Sequence, residues 1–357
     1  MHVLLQSIEL LPVNLLQVVF TFFGAFAALL IWHLKRFRSL AVYFIFQAVL
    51  MLFNLLEELQ VTRSYYLLTP VFTLATGPLL YFFIRAVVND KDLPPFIIGL
   101  HFVPMLLALP FTSDVQRVIG FGSLSQIVYL TAAFHLLYRY HVASMAVRSD
   151  ANSLTLNWIV KALSVYALII INDVVRLNLQ QQTPPQLKAF WYFVAVAVIF
   201  AISCYLLFKV LRQPQLFDGM RAYEASLAQV PQADEQVLAD SVFASLEQTI
   251  INDALYKKPR LSVLDLSEVT GLNVKDISWA INQACQQNFC EYINGLRVKA
   301  VQQQISTVAV GNTSLLDMAF AAGFNSKSTF NAAFKKGVGM TPSQFVRQNT
   351  ADQGAKS

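Results

Sequence analysis

Residues 314–345 read SLLDMAFAAGFNSKSTFNAAFKKGVGMTPSQF, and they carry the strongest structural signal in the chain. Ser314 and Asp317 form a Ser-x-x-Asp pattern, in which the serine caps the start of a helix and the acid reaches back to it. Gly323 permits a sharp turn, because glycine tolerates left-handed backbone angles. Ser326 is a residue type that begins helices. The stretch therefore predicts two helices joined by a tight turn.

The same pattern occurs earlier in the chain, where SVLDLSEVTGLNVKDISWAINQA begins at Ser262. Its serine, acid and glycine each lie 52 residues before those of the later copy; past the turn the offset is 53, and Asn273 is the predicted N-cap. We predict two helix-turn-helix motifs, at about 262–284 and 314–337. The predicted buried positions are Ile277, Ala280 and Ile281 in the first copy and Phe330, Ala333 and Phe334 in the second.

Polar residues occupy the outward positions of both copies, and their types are those that contact phosphates and base edges of double-stranded DNA. The predicted DNA-contacting residues are Lys275, Ser278, Trp279, Asn282 and Gln283 in the first copy and Asn325, Ser326, Lys327, Ser328, Asn331, Lys335 and Lys336 in the second. Lys275 is offset by Asp276, so we expect phosphate anchoring mainly from Lys327, Lys335 and Lys336.

The C-terminal part shows helical periodicity without alternating strand patterns, so the predicted fold class is all-α. An acidic linker is predicted at 213–239, a DNA-binding domain at 240–350 and a tail at 351–357. The net charge is −6 over 214–253 (Arg221 against seven acids) and +5 over 254–349 (ten bases, five acids). A basic domain after an acidic linker agrees with DNA as the partner.

Residues from about 254 to 349 resemble the DNA-binding domain of AraC/XylS-type regulators. The resemblance rests on Leu261–Gly271 (LSVLDLSEVTG), Phe289–Ala300 (FCEYINGLRVKA) and above all Ala322–Phe345 (AGFNSKSTFNAAFKKGVGMTPSQF). It implies two helix-turn-helix subdomains bridged by a long helix through Arg297, whose two recognition helices enter successive major grooves about 34 Å apart.

Three positions depart from that family's pattern. Trp279 and Ala332 stand where the recognition helices usually offer a base-reading Arg, and the Gly expected near Gln286 is absent. Trp279 either packs on a thymine methyl group or covers the core. These departures leave an alternative open, in which the domain of a membrane receptor serves protein–protein contacts.

The first 212 residues hold most of the apolar sequence in a chain that is 56% hydrophobic and 13% charged. An ordinary soluble protein has about 25% charged residues. We predict a seven-helix transmembrane domain at 1–212, because an open backbone in lipid cannot satisfy its hydrogen bonds unless it is helical. The predicted spans are 13–34, 40–56, 65–88, 93–112, 118–138, 154–177 and 187–211.

The loops predict the orientation of these spans. One set carries Lys35, Arg36, Arg38, Lys91, Arg139, Arg148, Lys209 and Arg212, and the other carries Arg63, Arg117, Arg176 and Lys188. The set with eight positive charges is predicted to be cytoplasmic, because cytoplasmic loops carry the excess of Lys and Arg. This prediction places the C-terminus in the cytoplasm and the N-terminus outside. The phrases GPLLY at 77–81 and HFVP at 101–104 resemble the multi-pass region of some membrane-bound AraC-type regulators, which implies the bacterial inner membrane.

Polar residues inside spans suggest where a signal is sensed, and His101, Asn172 and Asp173 are the candidate ligand-binding residues. Asp173 is also expected to pair with Arg176, three positions on. The spans lack paired half-repeats and a coupling-ion site, which disfavours a transporter with an attached regulatory domain, the second alternative.

We predict no enzyme, no cofactor and no metal site, because all five His residues lie in the membrane half and cannot serve the C-terminal domain. The sequence thus predicts a membrane-bound transcription regulator. Its predicted partners are DNA and membrane lipid, and the interpretation also allows RNA polymerase, a small-molecule or membrane signal and a second copy in a homodimer.

Overall fold

The structure is a computed structural model that describes residues 11–63, 66–89, 93–151, 156–179, 182–212, 235–307 and 314–354. Within these ranges the elements are α-helices and short 3-10 turns, and no strand is present, so the predicted all-α fold class is confirmed there. The chain divides into two compact units. The first comprises Met1–Tyr138 and Leu156–Leu216, and the second comprises Arg139–Thr155 and Phe217–Ser357.

The first unit consists of apolar helices. They are α1 (Pro12–Ile31), α2 (Arg38–Glu58), α3 (Thr69–Val88), α4 (Pro95–Leu100), α5 (Val103–Ala108), α6 (Val115–Val147, up to Tyr138), α7 (Asn157–Leu179) and α8 (Pro185–Arg212). Among the described residues, six helices are long and apolar enough to cross a membrane: α1, α2 with the turn before it, α3, α6, α7 and α8. Six of the seven predicted spans thus correspond to such helices.

The fourth predicted span, 93–112, is not one long helix. The chain forms α4, whose last turn is closed at His101, then α5 and a 3-10 turn that ends at Phe111. Pro104 lies in the first turn of α5, and a proline has no backbone N–H to continue a helix from the preceding turn. The apolar stretch Pro95–Phe111 is therefore divided between two short helices and a 3-10 turn.

Helices α1 and α2 lie close together in the first unit. A Cβ atom at Gly24 would stand 2.7 Å from the carbonyl oxygen of Phe44, so only glycine fits there. Gln17 of α1 donates to the Glu58 carboxylate (2.9 Å) and to the hydroxyl of Tyr192 on α8 (3.2 Å). The buried side chain of Gln17 therefore joins three helices of this unit.

The second unit begins with the end of α6 from Arg139 and contains the C-terminal helices. These are α9 (Glu235–Asn252), α10 (Val263–Thr270), α11 (Val274–Cys285), α12 (Phe289–Thr307), α13 (Leu315–Ala321), α14 (Lys327–Val338) and α15 (Pro342–Gly354). Of the predicted linker 213–239, residues 213–234 lie outside the described residues, and the remainder belongs to α9.

Two hydrophobic cores lie side by side along α12. The first forms around Leu246, Ile277 and Ile293, and joins α9, α10 and α11 to the beginning of α12. The second forms around Val301 and Phe334, and joins the rest of α12 to α13 and α14. Helix α12 is therefore shared by both halves of the second unit, the first half being built around the first core and the second half around the second core. The resemblance implied such a bridging helix.

Candidate nucleic-acid interface

The first helix pair, α10 and α11, begins with the predicted capping box. The Ser262 hydroxyl accepts from the Asp265 N–H (3.2 Å), and the Asp265 carboxylate accepts from the Ser262 N–H (2.7 Å). Gly271 ends α10 with a φ of 72°. Asn273 takes the N-cap position of α11, but its side chain makes no cap bond; its amide donates to Asp276 instead (3.2 Å). The predicted N-cap position of Asn273 is confirmed, although its side chain does not cap the helix.

The second helix pair, α13 and α14, shows the same order of caps. The Ser314 hydroxyl accepts from the Asp317 N–H, and the Ser326 hydroxyl accepts from the Thr329 N–H, each over 3.1 Å. Gly323 makes the turn with a φ of 99°. A Cβ atom there would lie 2.7 Å from the carbonyl oxygens of Tyr256 and Lys257, so this turn rests directly on the backbone of the first half.

The outer faces of α11 and α14 carry the predicted DNA-contacting residues. Asn282, Lys327, Ser328, Asn331, Lys335 and Lys336 are exposed, and Lys275, Ser278, Trp279, Gln283, Asn325 and Ser326 are half-buried. The predicted inner positions are buried, except that Ala333 is only partly so. Helix α14 thus offers a more exposed and more basic face than α11.

Lys336 is not a free cation, although residues 327–336 contain no acid. Its ammonium group forms an ion pair with Glu291 at the beginning of α12. Burial alone would raise the pKa of Glu291, but the hydrogen bond and charge of Lys336, together with Asn288, hold that pKa below its usual value. The sequence near Lys336 does not predict this pair, because the acid lies 45 positions earlier, on α12.

Arg297 is the main functional candidate that sequence reasoning did not single out. It is 1% exposed, and its guanidinium donates to the carbonyl oxygens of Tyr256 (2.7 Å) and Lys258 (2.9 Å), to Asn294 (3.1 Å) and to the Ser149 hydroxyl (3.1 Å). Burial lowers the pKa of Arg297 to about 10. The buried side chain therefore links α12 to the backbone at Tyr256 and Lys258.

Each of the three candidate ligand-binding residues has a different side-chain partner. In the described chain, the His101 ring hydrogen-bonds Tyr129 (2.5 Å), and Asn172 accepts from Trp191. Asp173 pairs with Arg176 (3.4 Å), as expected. The same ranges contain no group of three His, Cys, Asp or Glu side chains placed to hold a metal ion.

Comparisons with known proteins concern the C-terminal part. A family model described as a helix-turn-helix domain matches residues 266–348. The melibiose operon regulatory protein of Escherichia coli strain K12 is 33% identical over 85 residues, which are 24% of this chain and 27% of that protein. The protein of the same name from Escherichia coli O6:H1 strain CFT073 gives the same values. The match thus spans about a quarter of the length of these curated relatives.

No solved structure matches this chain. The family model and the named relatives identify the C-terminal part as a helix-turn-helix domain of the AraC type, and thereby support a DNA-binding regulator.

Proposed function

We propose that this protein is a membrane-embedded one-component transcription regulator, which binds promoter DNA in response to a signal sensed by its N-terminal helices. The observation that carries the proposal is the repeated helix pair. Helices α11 and α14 each follow a helix that begins at a capping serine and a turn that contains a left-handed glycine. Helices α11 and α14 both carry, on their outer faces, polar side chains of the types that contact DNA.

In this proposal α11 and α14 enter successive major grooves, about 34 Å apart. Lys327 and Lys335, both exposed on α14, neutralise phosphates. Asn331 lies on the same exposed face, and its amide can pair with an adenine edge. Helix α11 contributes fewer charges, so we expect Asn282 to have a smaller effect on affinity.

We further propose seven membrane crossings, with α4 and α5 together forming the fourth. The alternative of six crossings with a cytoplasmic C-terminus would place Lys35, Arg36 and Arg38 outside, against the positive-inside bias. Reporters fused at the N-terminus and after Arg212 test this. Opposite sides of the membrane support seven crossings, whereas a shared side supports six.

DNA binding is best tested with the full-length protein in lipid nanodiscs. We would select its operator from random duplexes and titrate operator and scrambled duplex at several salt concentrations. The logarithm of the binding constant should fall with the logarithm of salt by about 0.9 per phosphate contact. Asn331→Ala should reduce the preference for the operator by about 1–3 kcal/mol, more than it reduces affinity for scrambled DNA.

The second candidate is a membrane receptor whose helix-turn-helix domain contacts proteins instead of reading DNA. It is favoured by Ala332, which is exposed on α14 but has no group that can pair with a base. Absence of salt-dependent DNA binding by the wild-type protein would support this candidate against the first.

A further inference from the structure

Residues 148–151, which directly follow α6, are built into the second unit. Ser149 and Ala151 are fully buried, and Asp150 is 2% exposed. Arg148 pairs with Ser262 in an isolated antiparallel bridge. We call these four residues the α6 segment. Its distant neighbours within the unit lie more than a hundred positions later in the chain, so no local sequence pattern predicts these contacts.

Ser149 connects the α6 segment to the first helix pair and to α12. Its N–H donates to the Leu261 carbonyl oxygen (3.0 Å), and its own carbonyl oxygen accepts from the Asn294 amide (3.1 Å) and the Cys290 thiol (3.4 Å). Its hydroxyl accepts from Arg297 (3.1 Å). Each polar group of a fully buried serine therefore has a partner, as a stable interior requires.

Asp150 connects the same segment to the second helix pair. Its carboxylate accepts from the side chain of Arg148 (2.8 and 3.2 Å) and from the Asn325 amide (3.2 Å), and the Arg260 guanidinium lies 4.0 Å away. Asn325 immediately precedes Ser326, the N-cap of α14, whereas Arg260 lies just before α10. One buried carboxylate thus lies beside the beginning of α10 in the first helix pair and beside the turn before α14 in the second.

We infer that the α6 segment is a positioning element for DNA binding, which holds the two helix-turn-helix motifs in one mutual orientation. The inference rests on the proposed function. A fixed orientation matches α11 and α14 to one spacing of the two short DNA sequences that they bind, which we call boxes. A preorganised pair of helices loses little freedom when both boxes bind. A loosened pair binds the correct spacing less tightly and discriminates less against incorrect ones.

The test uses the full-length protein in nanodiscs and operators whose two boxes are moved apart or together by one or two base pairs. For the wild type we expect a two-base-pair change to weaken binding about tenfold or more. In Asp150→Ala the ratio of the affinity for the correct spacing to the affinity for the altered spacing should fall below about threefold. The affinity of this variant for a duplex with a single box should stay within about twofold of the wild-type value. Ser149→Ala should act in the same direction with a smaller change.

Asp114→Ala is the matched control, because Asp114 also pairs with an arginine, Arg117, but in an exposed turn before α6. It should keep the wild-type ratio. A wild-type ratio in both Asp150→Ala and Ser149→Ala overturns the inference, as does an equal loss at every spacing and on the single box, which would indicate a purely structural role. If Asp150→Ala does not fold, Ser149→Ala decides alone. A wild-type protein without DNA binding contradicts the proposed function itself, and the inference with it.

Discussion

The guanidinium of Arg297 donates a hydrogen bond to the hydroxyl of Ser149 over 3.1 Å, although 148 positions of sequence separate the two residues. Ser149 completes a set of acceptors that otherwise comes from Tyr256, Lys258 and Asn294. A buried guanidinium that loses an acceptor is costly, because water replaces the lost hydrogen bond only in part. A fragment that starts at α9 is therefore an incomplete version of the second unit.

We expect a fragment of residues 235–357 to gain stability when a peptide of residues 139–151 is added. The peptide restores the bonds of Ser149 and Asp150, and without them the fragment should be less stable by about 2 kcal/mol, at roughly 1 kcal/mol per bond with partial compensation by water. Thermal unfolding followed by circular dichroism measures the difference. A peptide with Ser149→Pro, which lacks the N–H and the hydroxyl, is the control. Equal effects of the two peptides would contradict this prediction.

Gly323→Ala should destabilise the second unit far more than Gly271→Ala. Both glycines have positive φ values, 99° and 72°, so each alanine incurs a backbone cost of about 1 kcal/mol. At Gly271 the added Cβ meets nothing within 4 Å, whereas at Gly323 it would lie 2.7 Å from two carbonyl oxygens. Overpacking should add about 1–3 kcal/mol at Gly323. Chemical denaturation of both variants compares them directly, and equal losses would show that the turn can shift away.

Gln286→Gly should stabilise the unit by about 0.5–1 kcal/mol. Gln286 ends α11 with a φ of 53°, a left-handed conformation that glycine adopts without strain. This is the region where the AraC/XylS resemblance led us to expect a glycine. The neighbouring Gln287→Gly is the matched control, since Gln287 has no positive φ and the change should only cost stability. No difference between the two variants would mean that the strain at Gln286 is negligible.

Lys335 and Lys336 should contribute unequally to the salt dependence of DNA binding. Lys335→Ala should lower the slope by about 0.9, the value for one phosphate contact. Lys336→Ala should lower it less, because Glu291 already pairs with that ammonium group. In a Glu291→Gln background Lys336 is released, and its removal should then have the full effect. Equal slopes for both lysines in the wild-type background would rule out competition by Glu291.

The stability of the second unit should fall in acid partly through Asp265. Burial acts to raise the pKa of Asp265, but bonds from Lys258 and Ser262 lower it below its usual value of 3.8. A lowered folded pKa means that the carboxylate contributes stability above its unfolded pKa, and that this contribution is lost as the pH falls through the folded value. Asp265→Asn should therefore show a smaller loss of stability between about pH 5 and pH 3. An unchanged loss would assign the acid dependence to other groups.

Local patterns sufficed to predict much of the fold. The positions of Ser262, Gly271 and Ser326 at helix starts and turns follow from cap and turn chemistry that acts within a few residues. The burial of Ile277 and Phe334 follows from helical periodicity. The fourth predicted span, 93–112, forms two short helices and a 3-10 turn instead of one long helix, because hydropathy does not register how its prolines interrupt a helix.

By itself, then, the sequence determined the helical fold class, the repeated capped helix pairs and the polar faces of α11 and α14, because these depend on neighbours along the chain. Only the tertiary structure decided that Glu291 pairs with Lys336, that the turn at Gly323 rests on Tyr256 and Lys257, and that Ser149 and Asp150 lie within the second unit. These contacts join residues tens to more than a hundred positions apart. Their partners are selected by how helices pack in space, which no spacing in the sequence encodes.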